Sequence, residues 1–237
     1  MAAQPDAATI STYLNQIHAL GYCPEPEEVA SVRQILSIGA FVKNVLPLVT
    51  TLQQGFSSGT YKSLSDLARL SEADWLKLIQ SIGAGAVPAN IAGEDPAATF
   101  ARETYDRLTA AYPTAALSTR IASFVPQAQQ TSLNIFFTNN PTLDLRRDNV
   151  EIYLNQAGEA AFKGIPEGDK AAAIENVKAM QRVLRIAPHV DIAQTLLATG
   201  LTSAASVTVM GKQQFVTRMV QAGAVAVDAR VILWSVT

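Results

Sequence analysis

Cysteine, histidine and long apolar runs are scarce in this sequence, and each scarcity narrows what the chain can do. Cys23 is the only cysteine, which excludes an internal disulfide and a cysteine-built zinc site and gives no sign of an oxidising compartment. It reads as a small buried residue rather than a reactive thiol. His18 and His189 are the only histidines and do not show the His-Glu-x-x-His spacing that sets two ligands on one helical face. No stretch approaches the ~20 uninterrupted apolar residues of a membrane span. The opening MAAQPDAATIST lacks the basic and apolar regions of a secretory signal, so a soluble protein, cytoplasmic when synthesised, is expected. Clustered basic charge is missing too. With 18 Lys plus Arg against 20 Asp plus Glu, the one adjacent pair, Arg146-Arg147, is bracketed by Asp144 and Asp148 and reads as a solvated face, so neither nucleic acid nor an anionic membrane is an expected partner. Aromatics are only 7%, whereas Ala, Leu, Val and Ile abound, a mixture that suits closely packed helices better than twisted sheets.

What is present is helical periodicity. From Pro24, PEPEEVASVRQILSIG places Val29, Val32, Ile35, Leu36 and Ile38 at helical spacing behind an acidic first turn of Glu25, Glu27 and Glu28. SLSDLARLSEADWLKLIQSIGAG carries two Ser-x-x-Asp start signals, Ser63 with Asp66 and Ser71 with Asp74, which predict a short helix abutting a longer one. In the longer helix Trp75, Leu76, Leu78, Ile79 and Ile82 form the apolar face, and Gly83 is the stop. The Gly- and Pro-interrupted segment 85–98 reads as a linker, and Asp95 as the cap of the helix that follows. Asn139-Asn140-Pro141 marks a turn. Only ASVTVM, with its β-branched Val207, Thr208 and Val209, is ambiguous between helix and strand.

The sequence also repeats itself. ISTYLNQ from Ile10 returns as VEIYLNQ from Val150, an offset of 140 positions, and the same offset lays the stretch from Ser63 over SAASVTVMGKQQFVTRMVQAGA from Ser203. Leu67 falls on Val207, Trp75 on Phe215, Ile79 on Met219 and Gly83 on Gly223. VRQILSIG from Val32 corresponds to MQRVLRIA from Met180, and LQQGFSS from Leu52 to LATGLTS from Leu197, at offsets of 148 and 145. Four blocks in one order predict an all-α fold of duplicated multi-helix units with a period of about 140 residues. The expected organisation is a first helical unit at 1–84, a linker at 85–98, bridging helices at 99–140 and a second unit at 141–237. The apolar run Val231, Ile232, Leu233 and Trp234 is expected to pack into its own core or against a further unit.

Taken in series, SLSDLARLSEADWLKLI, AATFARETYDRLTAAYPTAAL, FFTNNPTLDLRRDNVEIYL and MQRVLRIAPHVDIAQTLLATGLTSAASVTVMGKQQFV resemble the helical repeat region of large bacterial insecticidal-type toxin A subunits and related very long proteins with a neuraminidase-like domain. The likeness covers most of the chain. In that family such helices build a shell around a translocation channel within large homo-oligomers. The resemblance implies a structural shell segment whose partners are proteins or further repeat units, with a homo-oligomer as one arrangement and release by a non-standard route. It carries over no functional residue.

Candidate chemistry is thin, and a non-enzymatic module with no catalytic, cofactor or metal residues is expected. GFSSG from Gly55 matches the bare Gly-x-Ser-x-Gly pattern around Ser57, but follows a helix-like segment where a nucleophile elbow needs a strand. Gly211-Lys212 lacks both flanking requirements of a phosphate loop, with Ser206 in place of glycine and Gln213 in place of the magnesium-binding hydroxyl. Gly83 and Gly85, with Lys77 nearby, resemble the hairpin of helix-hairpin-helix DNA binders, and this is the alternative reading.

Overall fold

Side-chain caps at Ser71, Asp95, Asn149 and Ser203 start four of the described helices. The computed structural model describes residues 12, 15–22, 26–187 and 189–223 of the 237, and among them there are helices and turns but no strand. The fold is all-α. The first heptapeptide copy at Ile10, Cys23, Glu25 and the run Val231 to Trp234 lie outside the described residues, the heptapeptide except for Thr12, Asn15 and Gln16.

The described elements fall into two compact units. The first holds the described residues up to Leu64 together with Ser71–Tyr105. In it α1 (Pro26–Phe41) packs against α2 (Leu46–Ser57), which also meets a later helix, Glu72–Ile82, and the 3₁₀ turn Ala84–Ala86. Ile38, Leu48, Leu52, Trp75, Ile79, Ala86 and Phe100 form its buried interior. The α1–α2 corner is tight. Lys43 and Asn44 both take positive φ, and the Asn44 amide donates to the Gly39 carbonyl at 2.7 Å, closing the end of α1 as a left-handed cap does.

The short helix α3 (Leu64–Leu67) precedes α4 (Glu72–Ile82). Ser71 and Asp74 form a reciprocal capping box: the Asp74 amide donates to Ser71 Oγ at 3.1 Å, and the Ser71 amide donates to Asp74 Oδ2 at 3.1 Å. The segment 85–98 opens on the 3₁₀ turn with its buried Ala86 and closes on Asp95, whose Oδ1 accepts from the Ala98 amide at 2.9 Å to start α5 (Pro96–Ala111).

The second unit holds Ser65–Leu70 and the residues from Asp106 onward. Its helices are α6 (Pro113–Ser118), buried along its whole length, α7 (Gln127–Asn139), α8 (Val150–Ala157), α9 (Glu167–Ile186), α10 (Val190–Ala198), α11 (Ala204–Met210) and α12 (Lys212–Gln221). The long α9 is the hub, packing against α7, α8, α10 and α11. Its buried face is Ala173, Val177, Met180, Val183 and Leu184. Asn139 and Asn140 reach from the end of α7 to the carbonyls of Ala161 and Lys163, and so fix the 3₁₀ segment Gly158–Phe162.

The ambiguous ASVTVM is helix α11. Ser203 and Ser206 form a second capping box, which overrides the strand preference of Val207, Thr208 and Val209. The element starts also recur: α3 and α4 begin at Leu64 and Glu72, α11 and α12 at Ala204 and Lys212, each 140 positions on. Leu67 and Val207, Trp75 and Phe215, Ile79 and Met219 are all buried, and Gly83 and Gly223 have φ of 93° and 94°.

The correspondence is not uniform. In the block at offset 148, Leu36 on α1 is exposed whereas Leu184 on α9 is buried, because α9 is packed on several sides and the neighbour of α1 is α2. At offset 145, Gly55 lies inside α2, whereas Gly200 follows α10 with φ of 74°.

Candidate functional site

The second unit contains a cleft of about 320 Å³. Three stretches far apart in sequence line it: Ser65 and Arg69, the α5–α6 junction from Ala111 to Ser118, and the turn from Phe137 to Asp144. Pro113 positions α6 by fixing the first helical φ, and Pro141 ends the α7 turn. Between them the lining mixes apolar residues with the polar Arg69, Thr114, Ser118 and Asp144.

Those polar groups are engaged in a defined order. Arg69 Nη1 donates to Ser118 Oγ at 3.2 Å, and Ser118 Oγ donates to the Ala115 carbonyl at 2.8 Å. Arg69 Nε lies 3.3 Å from the Asp66 carboxylate. Thr114 Oγ1 accepts the Leu145 amide at 2.8 Å, tying the far wall to α6. Asp144 accepts the Arg146 amide at 2.9 Å, and its other oxygen is 3.7 Å from Arg147 Nε. Burial pushes the Tyr112 phenol above its ordinary range, and the nearby Arg147 charge opposes that shift. No nucleophile-base pair is formed by these contacts. The arrangement is a concavity with one cation, Arg69, among its lining residues.

The motif candidates lie elsewhere and apart from one another. Ser57 is the exposed last residue of α2, so it lacks the strand-to-helix turn a nucleophile elbow requires. Gly55, the first glycine of that pattern, is there for packing: a Cβ on it would lie 2.6 Å from the Tyr61 ring. Gly211 has φ of 78° and precedes α12 without a side-chain cap, and Lys212 and Gln213 are exposed. At the glycine hairpin, Gly83 carries φ of 93°, a Cβ on Gly85 would meet Pro47 at 3.7 Å, and Lys77 is within 4.0 Å of Asp74.

His18 and His189 are exposed, and among the described residues no three His, Cys, Asp or Glu side chains gather as a metal would require. Glu27 and Glu28 occupy the exposed first turn of α1. No described helix is long and apolar enough to cross a membrane.

One expectation is corrected. Arg147 is solvated, but Arg146 is not: its Nη2 donates to the Ala187 carbonyl at 3.2 Å and its Nε to the Leu184 carbonyl at 3.4 Å. A cation at a helix C-terminus satisfies orphan carbonyls and faces the negative end of the dipole. Sequence reasoning also missed the cleft. Its signals, Pro113-Thr114 and Asn140-Pro141, are legible only as turn chemistry, and nothing local says that they face Arg69.

No protein family, curated protein or solved structure matches the chain.

Proposed function

We propose that the chain is a non-enzymatic α-helical interaction module, built from recurring helix pairs and presenting an apolar face to a further unit of the same kind. The observation that carries this reading is the recurrence of α3–α4 as α11–α12, with the same starts and with Leu67, Trp75 and Ile79 matched by buried Val207, Phe215 and Met219. Position 69, just after the short first helix, is tied to α6 by the bond from Arg69 to Ser118, although Arg69 itself stays exposed. Its counterpart at the same offset is Val209, which is 87% exposed, with exposed Val220 on the next helix. An apolar side chain where the first copy meets a following helix is what an array leaves for its next unit. Burying a patch of a few hundred Å² there contributes on the order of 5 to 10 kcal/mol before association costs.

On this reading the units are duplicated at a period of about 140 residues, and the resemblance to the shell of insecticidal-type toxin A subunits gives the module its place in a larger helical assembly. The glycine hairpin favours no nucleic-acid role, since Lys77 is matched by Asp74.

Sedimentation velocity over a concentration series tests the proposal. A mass that rises with concentration and is insensitive to salt is expected. A monomer at every concentration, together with DNA affinity that falls steeply with salt, would overturn it.

A further inference from the structure

The wall of the cleft in the second unit, where Arg69 bonds Ser118, holds a cation with donors to spare. A guanidinium has five N–H donors. In Arg69, Nε faces Asp66 and one Nη1 hydrogen is given to Ser118, so neither Nη2 hydrogen has a partner among the described residues. Of the two edges that take a carboxylate through two parallel hydrogen bonds, one faces Asp66 through Nε, and the other is the Nη1–Nη2 edge. Ser118 holds it in place. Because the Ser118 hydroxyl donates to the Ala115 carbonyl, its oxygen is left as the acceptor that pins Nη1 at the cleft wall.

The rest of the cleft selects among anions. Pro113, Pro141 and Phe137 supply apolar lining, which suits a ligand with a hydrocarbon body. Asp144 is the one carboxylate in the lining, and Asp66 already offsets part of the Arg69 charge. A dianion would therefore meet more repulsion than a ligand of single charge. At about 320 Å³ the space lies at the small end of small-molecule sites.

We propose that this cleft binds a small monocarboxylate with an apolar body, its carboxylate on the Nη1–Nη2 edge of Arg69 and its body against Pro113 and Pro141. Val209 and Val220 are not among the residues that line the cleft, so each proposal can fail without the other.

The test is an NMR titration of the full chain with N-acetylleucine, N-acetylleucinamide and inorganic phosphate, following the Arg69 side chain and the Ser118 and Leu143 amides. Saturable shifts with N-acetylleucine at millimolar concentration are expected, with the amide and phosphate each about tenfold weaker or worse. Arg69→Gln abolishes the shifts, and Arg69→Lys restores binding only in part, since an ammonium has no two-pronged edge. If Arg69→Gln unfolds, Ser118→Ala serves instead and weakens binding by freeing the guanidinium. No saturable shift in the wild type overturns the proposal, as does equal binding of acid and amide, binding of phosphate as tight as the carboxylate, or unchanged affinity in Arg69→Gln.

Discussion

The Tyr61 ring rests on the backbone of Gly55: a Cβ at Gly55 would lie 2.6 Å from Cε2 and 2.7 Å from Cδ2, and the Tyr61 amide donates to the Gly55 carbonyl at 3.2 Å. Phe56 adds a tilted ring contact with centroids 5.6 Å apart. A rigid ring, unlike a flexible chain end, has no easy way to yield. Gly55→Ala is therefore expected to destabilise by about 1 to 3 kcal/mol through overpacking, with Tyr61→Ala relieving the clash so that the two changes are non-additive. Ser57→Ala should leave urea unfolding unchanged. A neutral Gly55→Ala would contradict the packing account.

Trp75 is fully buried, and among the described residues its Nε1 has no hydrogen-bond partner; the same holds for Thr104 Oγ1. Trp75→Ala should cost about 3 to 5 kcal/mol by emptying the site. Trp75→Phe should cost clearly less, because it also removes an orphaned donor. Thr104→Val replaces a buried, unpaired hydroxyl by a methyl and should be neutral or stabilising in equilibrium denaturation. A loss above about 1 kcal/mol in Thr104→Val would mean that its hydroxyl is satisfied.

Burial raises the phenol of Tyr61, with the Asp74 carboxylate adding to the shift, and burial raises Tyr112. A group whose folded pKa lies above its unfolded value contributes stability below the unfolded value and loses it as pH rises. Melting temperature should therefore fall as pH climbs past the ordinary phenol value of about 10, less steeply in Tyr61→Phe and Tyr112→Phe. Asp74 moves the other way. Hydrogen bonds from Ser71 hold it below the usual carboxylate range, so its contribution fades in acid, and its exposure keeps that contribution small. A melting temperature flat through alkaline pH would contradict the burial of both phenols.

Arg146 and Arg147 are adjacent but unlike. Arg146→Ala should cost about 1 to 2 kcal/mol, since it strips donors from carbonyls at the end of α9, whereas Arg147→Ala should change nothing measurable. Parallel denaturant melts of the two variants decide this.

How much of this was legible depended on the range of the interaction. Ser71 with Asp74, and Asp95 with Ala98, act within three residues, so helix starts could be read from the sequence. The apolar period placed Trp75 and Ile79 in the interior for the same reason, and the 140-residue offset laid Phe215 and Met219, also buried, over them. Arg146 was misread because its partners lie near position 187, and its neighbours Asp144 and Asp148 imitate a solvated charge cluster. The cleft was invisible because only folding brings Arg69, Ser118 and Asp144 together. The unequal burial of Leu36 and Leu184 shows the limit of matching letters: similar helices take different faces when their neighbours differ.

The most direct measurement of the central claim is sedimentation of the wild-type chain beside a Val209→Glu, Val220→Glu variant at matched concentrations. Both positions are exposed on helices, so the variant should melt like the wild type. Reversible association in the wild type that is lost in the folded variant is the predicted result. Association that survives both glutamates would contradict the proposed docking face.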